Sequence, residues 1–280
     1  MTRKAGIVGW PVTQSLSPVL HGYWLKQLGI DGAFEKVPAE PGQFETVISK
    51  LRDQGFSGVN VTVPHKEAAF ALADRVDAAA KMAGAANLLI FGPGHIEGRN
   101  TDAYGLAQSL HESIGPLAGM SAVLLGAGGA ARGAVLALES LGAGTIHILN
   151  RDADRAQNLA AQLAPHVNAR LVPGALAEWK NVSGNAALLV NSTSAGMSGS
   201  PPLDLDLSLL NPAAAVCDIV YKPLETQLLK DAAARGHKTI DGLGMLMHQA
   251  APSFEAFFGQ RPQVDAGLRA ALESALLDPQ

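Results

Sequence analysis

The chain has 280 residues, 48% of them apolar and 16% charged, with 21 Lys and Arg against 25 Asp and Glu for a formal net charge of -4. Length and apolar share suffice for two domains with cores of their own. With no basic excess and no clustered basic stripe, nucleic acid and anionic membrane are set aside as partners.

The basic start Met1-Thr2-Arg3-Lys4 runs into an apolar stretch broken by Gly6, Gly9 and Pro11, too short for a signal core. The longest apolar stretch, 122–141, carries Arg132, several glycines and Glu139, so it does not read as membrane-spanning. A soluble, cytoplasmic protein is expected. The single cysteine, Cys217, cannot close an internal disulfide and reads as a buried strand thiol in a reducing compartment.

In chain order, the pattern predicts a strand over 5–8, a helix over 18–28 with Pro18 at its start, a strand over 33–37, a helix over 43–51 and a strand over 58–63. Strand and helix alternate, which predicts a parallel sheet with crossover helices. The rhythm resumes with a strand over 122–125, a helix over 129–141, a strand over 145–149, a helix over 153–163, strands over 186–190 and 214–219, a helix over 225–234 and a strand over 237–240. Helices over 242–258 and 264–277 follow by their Ala, Leu, Met and Gln content. Having no sheet of their own, they are expected to pack back on the first unit. The expected architecture is two open α/β domains flanking a cleft: a discontinuous one of residues 1–104 and 245–280, and a Rossmann-like nucleotide-binding one of residues 105–244.

The turn Gly126-Ala127-Gly128-Gly129-Ala130 lies between a strand and a helix. Glycines there let the backbone approach a pyrophosphate, whose charge rests on the N–H groups at the helix start. At the end of the next strand stand Asn150-Arg151-Asp152 and then Arg155. Two guanidiniums suit the extra phosphate of NADP, whereas NAD asks for a carboxylate on the ribose. Asp152 reads either as that carboxylate or as a favourable charge at a helix start, and the helix reading is preferred.

In Gly58-Val59-Asn60-Val61-Thr62-Val63-Pro64-His65-Lys66, Pro64 ends the strand and Lys66 emerges where a helix begins. Gly98-Arg99-Asn100-Thr101-Asp102 ends another strand before another helix, so Asp102 reads as an N-cap or as a carboxylate beside the lysine. A lysine and a carboxylate converging on one cleft would make an acid–base pair. The eight histidines are scattered, none at the spacing of a zinc helix, and Cys217 offers no thiolate partner, so no metal is expected; His65 reads as structural. There is no Gly-x-Ser-x-Gly elbow of a serine hydrolase.

Ser15-Leu16-Ser17-Pro18, Asn60 to Lys66, Asn100-Thr101-Asp102, Gly126 to Ala130, Asn150-Arg151, Asn191-Ser192-Thr193-Ser194 with Gly196-Met197, and Asp241-Gly242-Leu243-Gly244-Met245 with Gln249 resemble, in order and spacing, the motifs of the shikimate dehydrogenase family over essentially the whole chain. The resemblance implies reversible NADPH-dependent reduction of 3-dehydroshikimate to shikimate, on the route to chorismate and the aromatic amino acids. It implies Lys66 as proton carrier with Asp102 as its partner, and Ser15 and Ser17 on the substrate carboxylate, although both serines read equally as turn and cap residues. Asn60, Thr62, Asn87, Tyr221 and Gln249 would hold the rest of the ring. Gly126, Ala127, Gly128, Gly129, Ala130, Asn150, Arg151 and Arg155 would hold NADP, with Thr193, Ile219 and Gly242 lining its nicotinamide half. The partners implied are the ring acid and the nucleotide, in a monomer or homodimer. The family often has Thr or Ser where Asp152 stands, and Val-Asn-Thr where this chain has Ala86-Asn87-Leu88. The alternatives are an NAD-preferring quinate/shikimate dehydrogenase and a non-catalytic nucleotide-binding regulator.

Overall fold

The computed structural model describes residues 2–277; Met1 and residues 278–280, part of the expected first domain, lie outside the described residues. The chain forms two compact units, Met1–Thr101 with Met247–Gln280, and Asp102–Leu246. The first unit contains β1 (Arg3–Gly9), α1 (Ser17–Gln27), β2 (Gly32–Pro38), α2 (Phe44–Asp53), β3 (Phe56–Val61), α3 (Lys66–Leu72), β4 (Arg75–Val76), α4 (Ala78–Ala83), β5 (Leu88–Gly92) and β6 (His95–Arg99). These strands make one sheet in the order β2-β1-β3-β5-β6-β4.

The expected parallel sheet holds for only part of this unit. β1 runs parallel to β2 and β3, but β5 is antiparallel to both β3 and β6. The reason is local. Gly92 pairs with His95 across Pro93-Gly94, and Gly94 has φ +74°, so a two-residue turn reverses the chain with no room for a crossover helix. Val8, Val59 and Val61 of β1 and β3 are buried in one core with Ile48 and Leu51 of α2.

The second unit contains α5 (Asp102–Ile114), β7 (Ser121–Leu125), α6 (Gly129–Ser140), β8 (Thr145–Asn150), α7 (Ala153–Leu163), β9 (Arg170–Ala175), α8 (Trp179–Val182), β10 (Ala186–Asn191), β11 (Ala215–Asp218), α9 (Gln227–Ala234) and β12 (Lys238–Ile240). All six strands are parallel, in the order β12-β11-β10-β7-β8-β9. This is the doubly wound order, and the chain switches direction between β7 and β10. Alternation fills both faces: Ala122, Leu124, Leu188 and Val190 enter one core, Val123, Leu125 and Leu189 the other. The sequence pattern misses β9, because Pro173 and Gly174 interrupt it. An edge strand tolerates both residues.

The chain closes with α10 (Gly242–Phe258) and α11 (Ala266–Leu277). Phe254 of α10 meets Trp24 edge-on at 5.4 Å, and Trp24 Nε1 donates to the Gln263 carbonyl at 2.8 Å. The aromatic end of α10 thereby joins the first unit. Among the described residues no helix is long and apolar enough to cross a membrane.

Leu124 is fully buried between β8, β10 and α6. Leu124→Ala should cost about 2–5 kcal/mol, the range for a cavity in a packed core; a urea midpoint indistinguishable from wild type would contradict this packing.

Candidate active site

In the first unit a set of amides and hydroxyls gathers around Asn87, which is 3% exposed. Asn87 Nδ2 donates to Thr101 Oγ1 at 3.0 Å and to Gln249 Oε1 at 3.4 Å, while its Oδ1 accepts from Thr101 N at 2.9 Å. Its main-chain carbonyl accepts from Val61 N at 2.8 Å and from Asn60 Nδ2 at 3.2 Å. Next to it, Ala86 N donates to the Lys66 carbonyl at 2.9 Å. Residues 86–87 are therefore tied on one side to Lys66, the first residue of α3, and on the other to Thr101, the residue before Asp102.

Asn60 is turned inward. Its Nδ2 also donates to Ser253 Oγ at 2.8 Å, so that amide nitrogen is committed within the fold. Ser15 Oγ donates to Ser17 Oγ at 3.2 Å and accepts from Ser17 N at 3.2 Å. The N-cap of α1 is Leu16, with no side-chain cap bond, so neither serine serves as the cap. Thr62 and Gln249 are half-buried. His65 is buried against Phe44, ring centroids 4.9 Å apart, with Nε2 2.7 Å from the Ala39 carbonyl; that bond makes Nε2 the protonated nitrogen. Its place is structural.

In the second unit the glycine turn follows β7. Gly126 has φ +110°, and a Cβ there would lie 2.8 Å from Ser192 Oγ, so only glycine fits. Gly128 is the N-cap of α6 without a side-chain cap bond, and a Cβ on Gly128 or Gly129 would meet nothing within 4 Å. An α-helix start whose cap has no side chain, facing open space, fits a phosphate. Ala127 is half-buried, and Ala130 is exposed on the first turn of α6. Asp102 packs beside this helix, 3.8 Å from the Cβ position of Gly133.

Arg151 and Arg155 are exposed at the end of β8 and the start of α7. Asp152 caps α7, its Oδ1 accepting from Asp154 N at 3.1 Å and Arg155 N at 3.4 Å. Asn150 Nδ2 donates to the Asp152 carbonyl at 2.9 Å, which commits that amide to the turn. Both groups hold the shape of the loop that carries Arg151.

The ends of β10 and β11 form a third cluster. Thr193 donates through N and Oγ1 to Asn191 Oδ1 at 3.1 and 2.7 Å, and Asn191 Nδ2 donates to Asp218 Oδ1 at 3.0 Å. Burial pushes the Asp218 carboxyl above its ordinary value, against the pull of donors from Thr226, Val220 and Asn191. Gly242 lies against the Ile219 carbonyl, with which a Cβ would collide, so the start of α10 can approach that strand end only as glycine. Tyr221 is half-buried, and burial raises its phenol above 10. Sequence reasoning missed Asp218, Thr226 and Ser253 as parts of these clusters; nothing in their local pattern sets them apart from other strand-end and helix polar residues. Among the described residues no group of three or more His, Cys, Asp or Glu could hold a metal.

A six-stranded doubly wound sheet with an uncapped glycine turn at its switch point defines a dinucleotide-binding α/β protein. Three family patterns match the chain: shikimate dehydrogenase substrate binding domain over residues 7–89, shikimate / quinate 5-dehydrogenase over 106–197, and shikimate 5'-dehydrogenase C-terminal domain over 242–272. The chain belongs to the shikimate dehydrogenase family. It is 50% identical over 276 residues to a shikimate dehydrogenase (NADP(+)) of Paramagnetospirillum magneticum, covering 96% of this chain and 97% of that one. It is likewise 50% identical over 277 residues to the one from Methylobacterium radiotolerans, covering 96% and 95%. Shikimate 5-dehydrogenase from Thermus thermophilus, solved in complex with NADP(H) and shikimate, superposes with a TM-score of 0.87 at 35% identity over 98% of this chain and 100% of that one. Quinate dehydrogenase from Corynebacterium glutamicum in complex with NAD superposes at 0.89, with 31% identity over 98% and 99%.

Behind the Asn87 cluster lies His21, fully buried and stacked on Phe34 with ring centroids 3.8 Å apart. Neither ring nitrogen has a hydrogen-bond partner, and Asn60 Oδ1 is also unpartnered. Burial lowers the His21 pKa from 6.5 to about 3, against a smaller upward pull from the Asn60 side chain. The unfolded chain therefore takes up the proton first as pH falls below 6.5, so stability is full above that value and drains away towards pH 3. Urea midpoints from pH 7 to 4.5 should fall less steeply for His21→Leu, by up to about 1.4 kcal/mol per pH unit; parallel slopes for variant and wild type would refute this.

Proposed function

We propose that the chain catalyses the reversible NADPH-dependent reduction of 3-dehydroshikimate to shikimate, in the synthesis of chorismate and the aromatic amino acids. The relatives named shikimate dehydrogenase (NADP(+)) match it at about half identity along nearly their full length, which supports both the activity and the cofactor. The unit that carries Lys66 and Asn87 takes the ring acid, and the unit built on the glycine turn takes the nucleotide. When bound, NADPH supplies the hydride that reaches the substrate carbonyl carbon. The chain's own residues manage the matching proton and the fit.

The carrying observation is the Asn87 cluster. It fixes the main chain at Lys66 and immediately before Asp102, so the two side chains assigned to proton transfer grow from one hydrogen-bonded frame. In this reading the Lys66 ammonium gives its proton to the carbonyl oxygen as the hydride arrives and recovers it in the reverse direction, and the Asp102 carboxylate holds the ammonium and a ring hydroxyl in line. Ser15 and Ser17 donate to the ring carboxylate as neutral groups. Thr62, Gln249 and Tyr221 bind hydroxyls, and a site that satisfies several hydroxyls rejects rings that lack them. Asn60 supports the ring site from beneath, its nitrogen bonded to the Asn87 carbonyl and to Ser253.

On the nucleotide, Gly126 to Ala130 approach the pyrophosphate, and Thr193, Ile219 and Gly242 line the nicotinamide. Arg151 and Arg155 pair with the 2′-phosphate, on a loop shaped by Asn150. Asp152 caps α7 through Oδ1, and the pair Arg151 and Arg155 weighs against the NAD-preferring quinate/shikimate alternative. The presence of Lys66 and Asp102 together weighs against a non-catalytic regulator. The reading places the enzyme in the cytoplasm, where a single unpaired cysteine is at home, as a monomer or homodimer.

Lys66→Ala should lower kcat by about two orders of magnitude or more, with NADPH affinity within about twofold of wild type. Wild-type turnover in that variant would overturn the assignment. Arg151→Ala should raise KM for NADPH by about tenfold and leave NADH kinetics unmoved, since its guanidinium meets only the extra phosphate; equal losses with both nucleotides would make Arg151 a structural residue.

A further inference from the structure

Asp218 is a carboxylate with no exposed surface, placed at the last position of β11 and paired in register with Asn191, the last residue of β10. A buried carboxylate is costly unless it is fully bonded, and this one is. Its Oδ1 accepts from Asn191 Nδ2 at 3.0 Å and Val220 N at 3.1 Å, and its Oδ2 accepts from Thr226 Oγ1 at 2.7 Å. Each bond has a consequence further along the chain.

The bond to Asn191 decides which way that buried amide faces. With Nδ2 spent on Asp218, Oδ1 is left for Thr193 N and Thr193 Oγ1, and Thr193 Oγ1 in turn accepts from Ala195 N at 3.1 Å. The bond to Val220 N fixes the chain on the far side of Ile219, whose own N donates to the Asn191 carbonyl at 3.1 Å. Gly242 N donates to the Val220 carbonyl at 3.3 Å. The three residues assigned to the nicotinamide, Thr193, Ile219 and Gly242, are thus each one or two bonds from one carboxylate. The same turn touches the phosphate end: Ser192 donates through N and Oγ to the Leu125 carbonyl at 2.9 and 2.7 Å, directly before Gly126.

We propose that Asp218 is a positioning residue for the nicotinamide half of the cofactor, acting through Asn191 and the Val220 main chain to hold Thr193, Ile219 and Gly242 in one rigid arrangement. The inference rests on the nucleotide reading above and goes beyond it by assigning a role to a side chain that itself meets no ligand. A carboxylate suits the task because it accepts from three donors at once. An alanine leaves Asn191 Nδ2 and Val220 N without their acceptor and frees the Asn191 amide to turn. An asparagine can keep both bonds at its Oδ1 and donate from Nδ2 to a reversed Thr226 hydroxyl.

The test compares binding of NADPH with that of 2′-phospho-ADP-ribose, which carries the adenosine and phosphate parts but no nicotinamide. Asp218→Ala should weaken NADPH by about tenfold, or roughly 1.4 kcal/mol, and leave 2′-phospho-ADP-ribose within about twofold of wild type. Asp218→Asn should restore most of the NADPH affinity. Should Asp218→Ala fail to fold, Asn191→Ala removes the same link while Asp218 keeps Val220 and Thr226, and the same selective loss is expected. Equal weakening of both ligands, or weakening of neither, would overturn the positioning role. Wild-type protein that binds neither ligand would instead defeat the nucleotide reading on which it rests.

Discussion

A buried amide is costly unless its donors and acceptors find partners within the fold, because little water reaches it to supply the balance. In the first unit Asn87 meets that requirement by binding Thr101 from both ends of its side chain, reaching Gln249, and receiving Val61 and Asn60 on its main-chain carbonyl. Four stretches of chain distant in sequence are therefore held to one point: the end of β3, the start of β5, the strand end before Asp102, and the middle of α10. Each also carries a residue with a proposed role on the ring. The constraint that stabilises this corner is the one that positions the residues given those proposed roles.

The second unit reaches the same end by topology. In a doubly wound sheet the connections from the two central strands leave towards opposite faces, and the gap between them is open at the strands' carboxyl ends. β7 and β10 are those strands, and their exits are Gly126 and Asn191. The missing side chain of Gly126 lets Ser192 and Thr193 close in beside it, so the turns proposed for the phosphate and the nicotinamide share a wall. Asp218 and Asn191 then secure that wall from beneath, at the cost of burying a charge, which the three donors around it offset.

The alternating pattern, the glycine turn and the arginines after β8 were legible because each depends on neighbours within a few residues. Ser15, Lys66, Asp102 and Gln249 stand out as candidates through the spacing of motifs along the whole chain. Three features were not. The antiparallel hairpin of β5 and β6 was hidden inside a stretch whose Pro93-Gly94 turn was not weighed, and β9 was hidden by the Pro173-Gly174 pair that only an edge strand accommodates. Asn60 reads as a site residue from its motif, yet its nitrogen faces Ser253, far away along the chain. A local pattern carries no information about such a partner.

By itself the amino-acid sequence determined most of the strands and helices, the glycine turn between β7 and α6, and which family's motifs the chain carries, since periodicity, glycine and charge act over short separations. Only the tertiary structure decided the strand order, the inward turn of Asn60 and the burial of Asp218 and His21. These are set by which distant donors, acceptors and apolar walls come to surround a group once water has left.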